Sequence, residues 1–597
     1  MKKKKLHRHA KVSHGSRRPY IDNDTSIQNE SVKHDAEAAE KNTVELNGKI
    51  ATEIDTSEDG DSSRRIDFYP FAYSLHDEQL SSRCWYCLAK IDTLKRCHAC
   101  RKGMFCGQKC QTLGWKDHRS ECKAFKTYDA MPNIEVRLLG RIVARYKAIK
   151  LGKDKEDNNF YKDRTSKRSI MDIWSHTDLI KQDPPAMKKF NEIYSGLLAF
   201  YGSKAMVSKD EVFELHCRNY INRHAISDCG YTELPDAKDG ISGQARICMG
   251  FSERLEVPSV RPFFLSTTAE ATDGMHEIGK GLYLDLCAYD HSCRPNTIYT
   301  CNGFVATLRG LTPSVDLRNL NSTYYSYIDL INTTQQRRKL LKDTWYFECH
   351  CTRCDDPNDS LLSSILCPNC PEKREYLCIF GDVPYKDRNT QIITCPKCHN
   401  KVCPEYVVEA IAAMRFIDKI VENREVEQMS REQSIRFLTD LKKRFSELLS
   451  KINVFLCKII QLLIPLIDVS NYQQLLDLHL EAEECVRFCF PYNHPAVGIH
   501  YRSIATFYLK CKQPHRALFY CKKACEIIRF TLGQKHLMTI ETDAIFNDAS
   551  REVQEAKKFI FGEKLGSNAL WEVDANVKGN CNGAEQCSVN DNVVGEL

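Results

Sequence analysis

Apolar positions along the chain fall into three regimes. Between residues 130 and 225 they recur at helical spacing, as in Val136, Leu139, Ile142, Val143 and Tyr146, which predicts amphipathic helices. Between 276 and 330 the pattern changes to short runs bounded by Gly or Asn: GLYLDLCAYD, NTIYTCNGFVATLRG and NSTYYSYIDL. Their β-branched and aromatic residues predict strands. From about 408 onward the spacing is helical again. The most apolar stretch, Ile452 to Val469, is interrupted by Lys458, Gln461 and Pro465. It falls short of the ~20 apolar residues of a spanning helix, so it reads as a buried helix and no membrane is expected. The polar segment 1–62 and the segment 561–597 read as loose tails, and the Gly/Pro/Thr-rich segment 230–275 as a loop insertion.

Within the last helical region, Ile504, Ala505, Tyr508, Ala517 and Ala524 place small residues where two antiparallel helices would touch. This is the pattern of a TPR-like unit or of an ordinary helical hairpin.

Composition narrows the class. A chain of 597 residues with 42% hydrophobic and 27% charged content is neither wholly disordered nor collagen-like. The net charge of +6 is small for this length and does not argue for nucleic acid. Any DNA affinity is expected to be weak, salt-sensitive and carried by the Lys2–Lys11 tail. The Lys2–Arg8 cluster fits a nuclear import signal or a solvated tail; nucleus and cytoplasm are the expected locations. The first residues, MKKKKLHRHAKVSHGSRR, lack the apolar core of a secretory signal. The 30 cysteines therefore point to metal before disulfides.

Their spacing supports this. Cys84-x2-Cys87-x9-Cys97-x2-Cys100-x5-Cys106-x3-Cys110-x7-His118-x3-Cys122 offers eight soft ligands, the number two tetrahedral zinc sites need. Such sets usually interleave, which assigns Cys84, Cys87, Cys106 and Cys110 to one zinc and Cys97, Cys100, His118 and Cys122 to the other. Cys349, Cys351 and Cys354, in CHCTRC, leave a zinc one ligand short. Cys367-x2-Cys370 and Cys395-x2-Cys398 have zinc-ribbon spacing, with Cys378 and Cys403 as spares; the alternative is a set of surface-loop thiols. These sites use 15 of the 30 cysteines. Cys485, Cys489, Cys521 and Cys525 sit at helical spacing and read as small buried apolar residues.

The run 84–122, with Tyr86, Phe105 and Trp115 between its ligands, resembles a MYND zinc finger, a family that binds proline-containing peptides. His291-Ser292-Cys293-x-Pro295-Asn296 is similar to the core motif of SET-domain lysine methyltransferases. That resemblance makes Cys293 the fourth ligand of the Cys349, Cys351 and Cys354 zinc. The order of these parts resembles the SMYD (SET and MYND) family, in its histone-lysine methyltransferase branch, over roughly residues 66–560. The implied fold is α+β and multidomain. A β-rich SET domain (63–83 and 276–330) is interrupted by the finger (84–122), a helical insert (123–229) and the loop 230–275. A post-SET zinc site (331–356), a zinc-ribbon insert (357–407) and an all-α TPR-like domain (408–560) follow.

The resemblance implies an S-adenosylmethionine-dependent protein-lysine methyltransferase, acting on histone and other protein lysines, with three to four structural zinc ions. It places Tyr327 as the catalytic tyrosine and Asn222, Asp290, His291, Tyr327 and Phe347 at the cofactor. It also implies chaperone or transcription-factor partners for the TPR-like domain. The sequence departs from the family in three ways. No Gly-x-Gly cofactor loop precedes Cys84; Asp290 replaces an Asn; and residues 318–323 lack a Gly-Glu-Glu turn. Gly279-x-Gly281 is no substitute, because it opens the strand leading to His291. The alternative reading is a non-catalytic MYND/TPR-like scaffold or corepressor adaptor.

Overall fold

The computed structural model describes residues 64–154, 168–227, 277–370, 375–378, 393–534 and 536–561. The loop 230–275 and the expected tails lie outside them, except Phe561, which ends the last helix.

Strands from distant parts of the chain pair in small sheets. β1 (Arg65–Phe68) lies antiparallel to β9 (Val305–Gly310), which pairs with β8 (Thr297–Asn302). β2 (Ala72–Leu75) lies antiparallel to β6 (Glu277–Leu282), which pairs on its other side with β5 (Arg223–Ser227). The chain therefore leaves this region after β2 and returns at β5. The helical insert read as 123–229 ends earlier than its periodicity suggests, because Arg223–Ser227 is a strand. Gly279 and Gly281 lie in β6. A Cβ on Gly279 would stand 2.4 Å from the Ser74 carbonyl oxygen, and one on Gly281 would stand 2.7 Å from the Tyr283 ring. Close packing thus accounts for both glycines.

Between β2 and β5 the chain forms the cysteine-rich segment, with the short strands β3 (Lys95–Arg96) and β4 (Met104–Phe105), and then a helical layer. The layer contains helices Ile134–Lys150, Pro184–Tyr201 and Lys209–Asn222. Local sequence starts each one. Asn133 accepts from the Val136 N–H, Asp183 precedes two prolines, and Ser208 forms a capping box with Glu211.

The helix Ile134–Lys150 is also fastened to β2, an edge strand whose outward carbonyls need partners. Arg137 donates to the Leu75 carbonyl at 2.8 Å, Arg141 to Tyr73 at 2.7 Å and Arg145 to Phe71 at 2.5 Å. The match is geometric. Four helical residues rise about 6 Å, close to two residues of strand.

The parallel pair β7 (Asp290–His291) and β10 (Tyr324–Tyr325) brings the His291 motif beside Tyr327. Asn296 locks this crossing. Its Nδ2 donates to the Ser322 carbonyl at 2.7 Å, and its Oδ1 accepts from the Tyr324 N–H at 2.8 Å.

After helix Thr334–Trp345 come β11 (Ile365–Leu366) and β12 (Tyr376–Leu377). Helices Pro404–Glu422, Arg431–Phe445, Val454–Leu463, Tyr472–Cys489, Pro495–Lys510, Pro514–Leu532 and Leu537–Phe561 follow. The apolar stretch near 452–469 contains the buried helix Val454–Leu463, and no described helix is long and apolar enough to cross a membrane. Pro495–Lys510 and Pro514–Leu532 form a close antiparallel hairpin. Ile504, Ala505, Ala517 and Ala524 are fully buried there. Cys485, Cys489, Cys521 and Cys525 are buried between helices. Arg353 joins this helical region to the β-rich part. It donates to the Cys489 carbonyl at 2.7 Å, the Leu330 carbonyl at 3.1 Å and the Asp359 carboxylate at 2.8 Å. The fold is thus a mixed helix-and-sheet structure with a helical C-terminal region.

Candidate active site and metal centres

Four ligand sets come together, each with all its ligand atoms within 4.8 Å: Cys84, Cys87, Cys106 and Cys110; Cys97, Cys100, His118 and Cys122; Cys293, Cys349, Cys351 and Cys354; and Cys367, Cys370, Cys395 and Cys398. Zn–S bonds of about 2.3 Å in a tetrahedron place sulfurs roughly 3.8 Å apart. The Cys110–Cys87, Cys97–Cys122, Cys367–Cys398 and Cys370–Cys395 sulfurs lie 3.9, 3.9, 3.7 and 3.8 Å apart. All-sulfur and three-sulfur, one-imidazole donor sets fit structural zinc, with no ligand position left open for chemistry. Cys378 and the exposed Cys403 stand outside the fourth set.

The second set has an oriented outer partner. His118 presents Nε2 to the metal set, 3.4 Å from Cys100 Sγ, and its Nδ1 faces the Glu121 carboxylate at 3.4 Å. Arg141 grips that fully buried carboxylate through Nε at 2.6 Å and Nη2 at 2.9 Å. The Arg141 guanidinium and the imidazole hold the Glu121 carboxyl down to about 2, against a burial that pushes it up. The finger is thereby tied through Arg141 to β2.

A cavity of about 330 Å³ lies where the His291 loop, β5, the β10 extension and residues 345–347 converge. All five residues placed at the cofactor by resemblance reach it: Asn222, Asp290, His291, Tyr327 and Phe347. Asn222 ends the helix Lys209–Asn222, so that helix aims it at the cavity rim. Its Nδ2 hydrogens go to the Trp174 and Arg218 carbonyls at 2.7 and 2.8 Å, which leaves Oδ1 as an acceptor. Asp290 is exposed at the cavity edge and its carboxylate also only accepts.

His291 is engaged on both ring nitrogens. Nδ1 accepts from the Tyr327 N–H at 3.0 Å, and Nε2 lies 3.1 Å from Cys293 Sγ. The ring therefore braces Tyr327 against a zinc-ligand set, and a bound molecule can use only its face or its backbone. Tyr327 donates its hydroxyl hydrogen to the Tyr289 carbonyl at 2.7 Å. Burial pushes its phenol well above the usual tyrosine range, with the Asp290 charge adding to the effect. Its ring stands 5.3 Å from His291, 5.0 Å from Tyr325 and 5.5 Å from Trp345. Phe347 stands 6.2 Å from His291.

Several lining residues escape a motif-based reading: Trp174, His224, Tyr299, Tyr325 and Trp345. His224, Tyr299 and Tyr325 arrive on the strands β5, β8 and β10. Trp345 arrives through a hydrogen bond from Nε1 to the Ile221 carbonyl at 2.9 Å.

Comparison with known proteins agrees with these parts. The MYND finger family matches residues 84–122. The histone-lysine N-methyltransferase SMYD3 of Homo sapiens is 24% identical over 470 residues, covering 78% of this chain and 87% of its own length. The N-lysine methyltransferase SMYD2 of Sus scrofa is 25% identical over 287 residues, 48% of this chain and 53% of its own. SET domain-containing protein 14 of Caenorhabditis elegans is 24% identical over 301 residues, 50% of this chain and 57% of its own. The likeness to the SMYD family, first apparent in the motifs, stands.

Proposed function

We propose that this SMYD-type chain is a protein-lysine N-methyltransferase that uses S-adenosylmethionine and acts on histone and other protein lysines. One observation carries the reading: Tyr327, braced by His291, lines an aromatic cavity that also gathers Asn222, Asp290 and Phe347. The donor and acceptor inventory fits the cofactor. Asn222 Oδ1 and the Asp290 carboxylate accept hydrogen bonds, as the hydroxyl, amino and cationic groups of S-adenosylmethionine require. Phe347 and Trp345 offer flat apolar surface.

Bound there, the cofactor supplies an electrophilic methyl group on a positively charged sulfur. The protein's part is to prepare the amine. Lysine in water is an ammonium with a pKa of about 10.4. Walls of Tyr325, Tyr327, Trp345 and Phe347 disfavour the charged form by desolvation and so favour the neutral nucleophile. They also hold it in line, which supplies a large share of the barrier reduction. The Tyr327 oxygen, its hydrogen already given to Tyr289, accepts N–H or weak C–H contacts from the reacting groups.

In this reading residues 63–83 and 276–330 form the SET core, 331–356 the post-SET site, 357–407 a zinc-ribbon insert and 408–560 a TPR-like domain. The finger takes proline-containing peptides, and the helical domain takes chaperone or transcription-factor partners, in nucleus and cytoplasm. The scaffold alternative is not favoured, since two of the relatives reported above, SMYD3 and SMYD2, are named as methyltransferases. Titration of the purified protein with S-adenosylmethionine by calorimetry tests the reading. Saturable binding, weakened in Asn222→Ala and Asp290→Ala, is expected. No heat of binding at millimolar cofactor would overturn it.

A further inference from the structure

Among the described residues lining the cavity, only Arg223 and Asp290 carry a formal charge near neutral pH. The imidazoles do not. Burial pushes His224 down to about 4 and lowers His176 as well, and His291 uses Nδ1 as an acceptor toward the Tyr327 N–H at 3.0 Å. Burial also keeps the Cys287 thiol and the Tyr327 phenol protonated. Arg223 is turned away. Its Nη1 meets Glu135 at 2.6 Å, its guanidinium lies over the Tyr220 ring at 5.6 Å, and Glu135 also holds Lys280 at 3.2 Å. None of these partners lines the cavity.

Asp290 is in the opposite condition. It is exposed at the cavity edge on β7, and its carboxylate makes no hydrogen bond or ion pair with any described residue. The pairing of β7 with β10 sets it opposite Tyr324, three residues before Tyr327. Its charge is felt inside the cavity, where it adds to burial in raising the Tyr327 phenol. One uncompensated negative charge therefore acts on the hydroxyl that the reacting groups would meet. Such a charge favours a cationic ligand and gives a neutral one nothing.

We propose that Asp290 makes the cavity discriminate between the methyl donor and its spent form: the unpaired carboxylate retains the sulfonium of S-adenosylmethionine and has no comparable hold on S-adenosylhomocysteine, whose sulfur is neutral, so that spent cofactor leaves in favour of fresh donor. The inference rests on the methyltransferase reading and adds the basis of cofactor exchange. The two molecules share adenine, ribose, amino and carboxylate groups, and differ by one methyl group and one positive charge. Transfer moves that charge. The lysine Nζ lone pair forms the new N–C bond as the S–C bond breaks with its electrons staying on sulfur, and the methylammonium product releases a proton to water. The sulfur is then uncharged, and its attraction to Asp290 is gone. An amide at this position would keep the acceptor oxygen and lose the charge. Specificity is a difference of two affinities, and Asp290 acts on only one of them.

The test measures, by calorimetry on full-length protein at about pH 8, above the histidine range, the dissociation constants of S-adenosylmethionine and S-adenosylhomocysteine. The quantity read is the ratio of the second constant to the first. Asp290→Asn keeps the side-chain shape and an acceptor oxygen, and is expected to lower this ratio by about fivefold, the size of one exposed charge acting through a mixed protein and water medium. Salt at about 0.5 M, which shortens the reach of a charge to about 4 Å, should lower the wild-type ratio and leave that of Asp290→Asn in place. Asp290→Glu retains the charge and should keep more of the ratio than Asp290→Asn. Zinc content, unchanged in all three proteins, guards against unfolding. An equal ratio in wild type and Asp290→Asn, with both ligands bound, places the carboxylate only on groups the two molecules share; it overturns the proposal and leaves the methyltransferase reading standing. A wild type that binds neither molecule at millimolar concentration overturns the methyltransferase reading itself.

Discussion

At Tyr327 a single atom separates two kinds of contribution. The ring packs among His291, Tyr325 and Trp345, whereas in the proposed reaction the hydroxyl oxygen alone would meet the reacting groups. Tyr327→Phe keeps the first and removes the second. Methyl transfer is expected to fall on the order of 10²-fold, the size of one preorganised polar contact in a dry site. Cofactor affinity measured by calorimetry should hardly change, since an interaction made mainly in the transition state leaves ground-state binding alone. His479 and His500 carry a second prediction at this scale. They are buried with rings 5.3 Å apart, and neither His479 nitrogen has a hydrogen-bond partner among the described residues. Burial pushes the His500 imidazole down to about 4, and burial with the neighbouring His500 pushes His479 down as well. The unfolded chain binds protons near pH 6.5 and the folded one resists them. This contribution to stability is therefore complete above about pH 6.5 and declines as pH falls toward 4, by on the order of 2–3 kcal/mol for His500, with His479 acting in the same direction. Denaturant midpoints measured from pH 7.5 to 5 should drop in wild type and drop less in His479→Leu with His500→Leu.

The arginine ladder on helix Ile134–Lys150 shows how one element sets the geometry of two others. Arg141 grips the Glu121 carboxylate behind His118 and caps the Tyr73 carbonyl of β2. Arg141→Met would leave Glu121, which has no exposed surface, as a buried charge paired only with the imidazole. Removing one partner of such a pair costs about 3–5 kcal/mol. The expected result is a lower melting temperature and faster zinc loss to a colorimetric chelator, with Glu121→Gln as a second substitution partly restoring stability. Helical spacing made this helix legible, as Val136, Leu139, Ile142 and Val143 are all buried. Its arginines were not legible, because a buried arginine and a solvated one look alike until the carbonyls they cap are in place. Arg223–Ser227 was misread for a related reason. Its strand partner β6 begins about 50 residues later, and local periodicity carries no trace of that pairing.

Across the whole molecule, the legible features were those whose chemistry imposes spacing. Four cysteine-rich sets converge as their spacing and the motif resemblance indicated, since short loops between thiolates leave little choice of geometry. The cavity was half legible. Its motif residues were named from resemblance, while His224, Tyr299, Tyr325 and Trp345 needed long-range strand pairing and a long-range hydrogen bond to appear. The metal sets support a direct expectation. Elemental analysis of purified protein should return four zinc ions per chain, and prolonged chelation should unfold it, because structural zinc binding is folding free energy. Two ions or fewer in folded protein would exclude at least two of the sets.

Transfer of an isotopically labelled methyl group from S-adenosylmethionine to core histones, mapped by mass spectrometry, bears most directly on the claim that this cavity is a lysine methyltransferase site. Wild-type protein should place the label on a lysine Nζ, and Tyr327→Phe should lose about a hundredfold of that rate with its zinc intact. No label above the enzyme-free control, from wild-type protein carrying its full zinc complement, would contradict the claim.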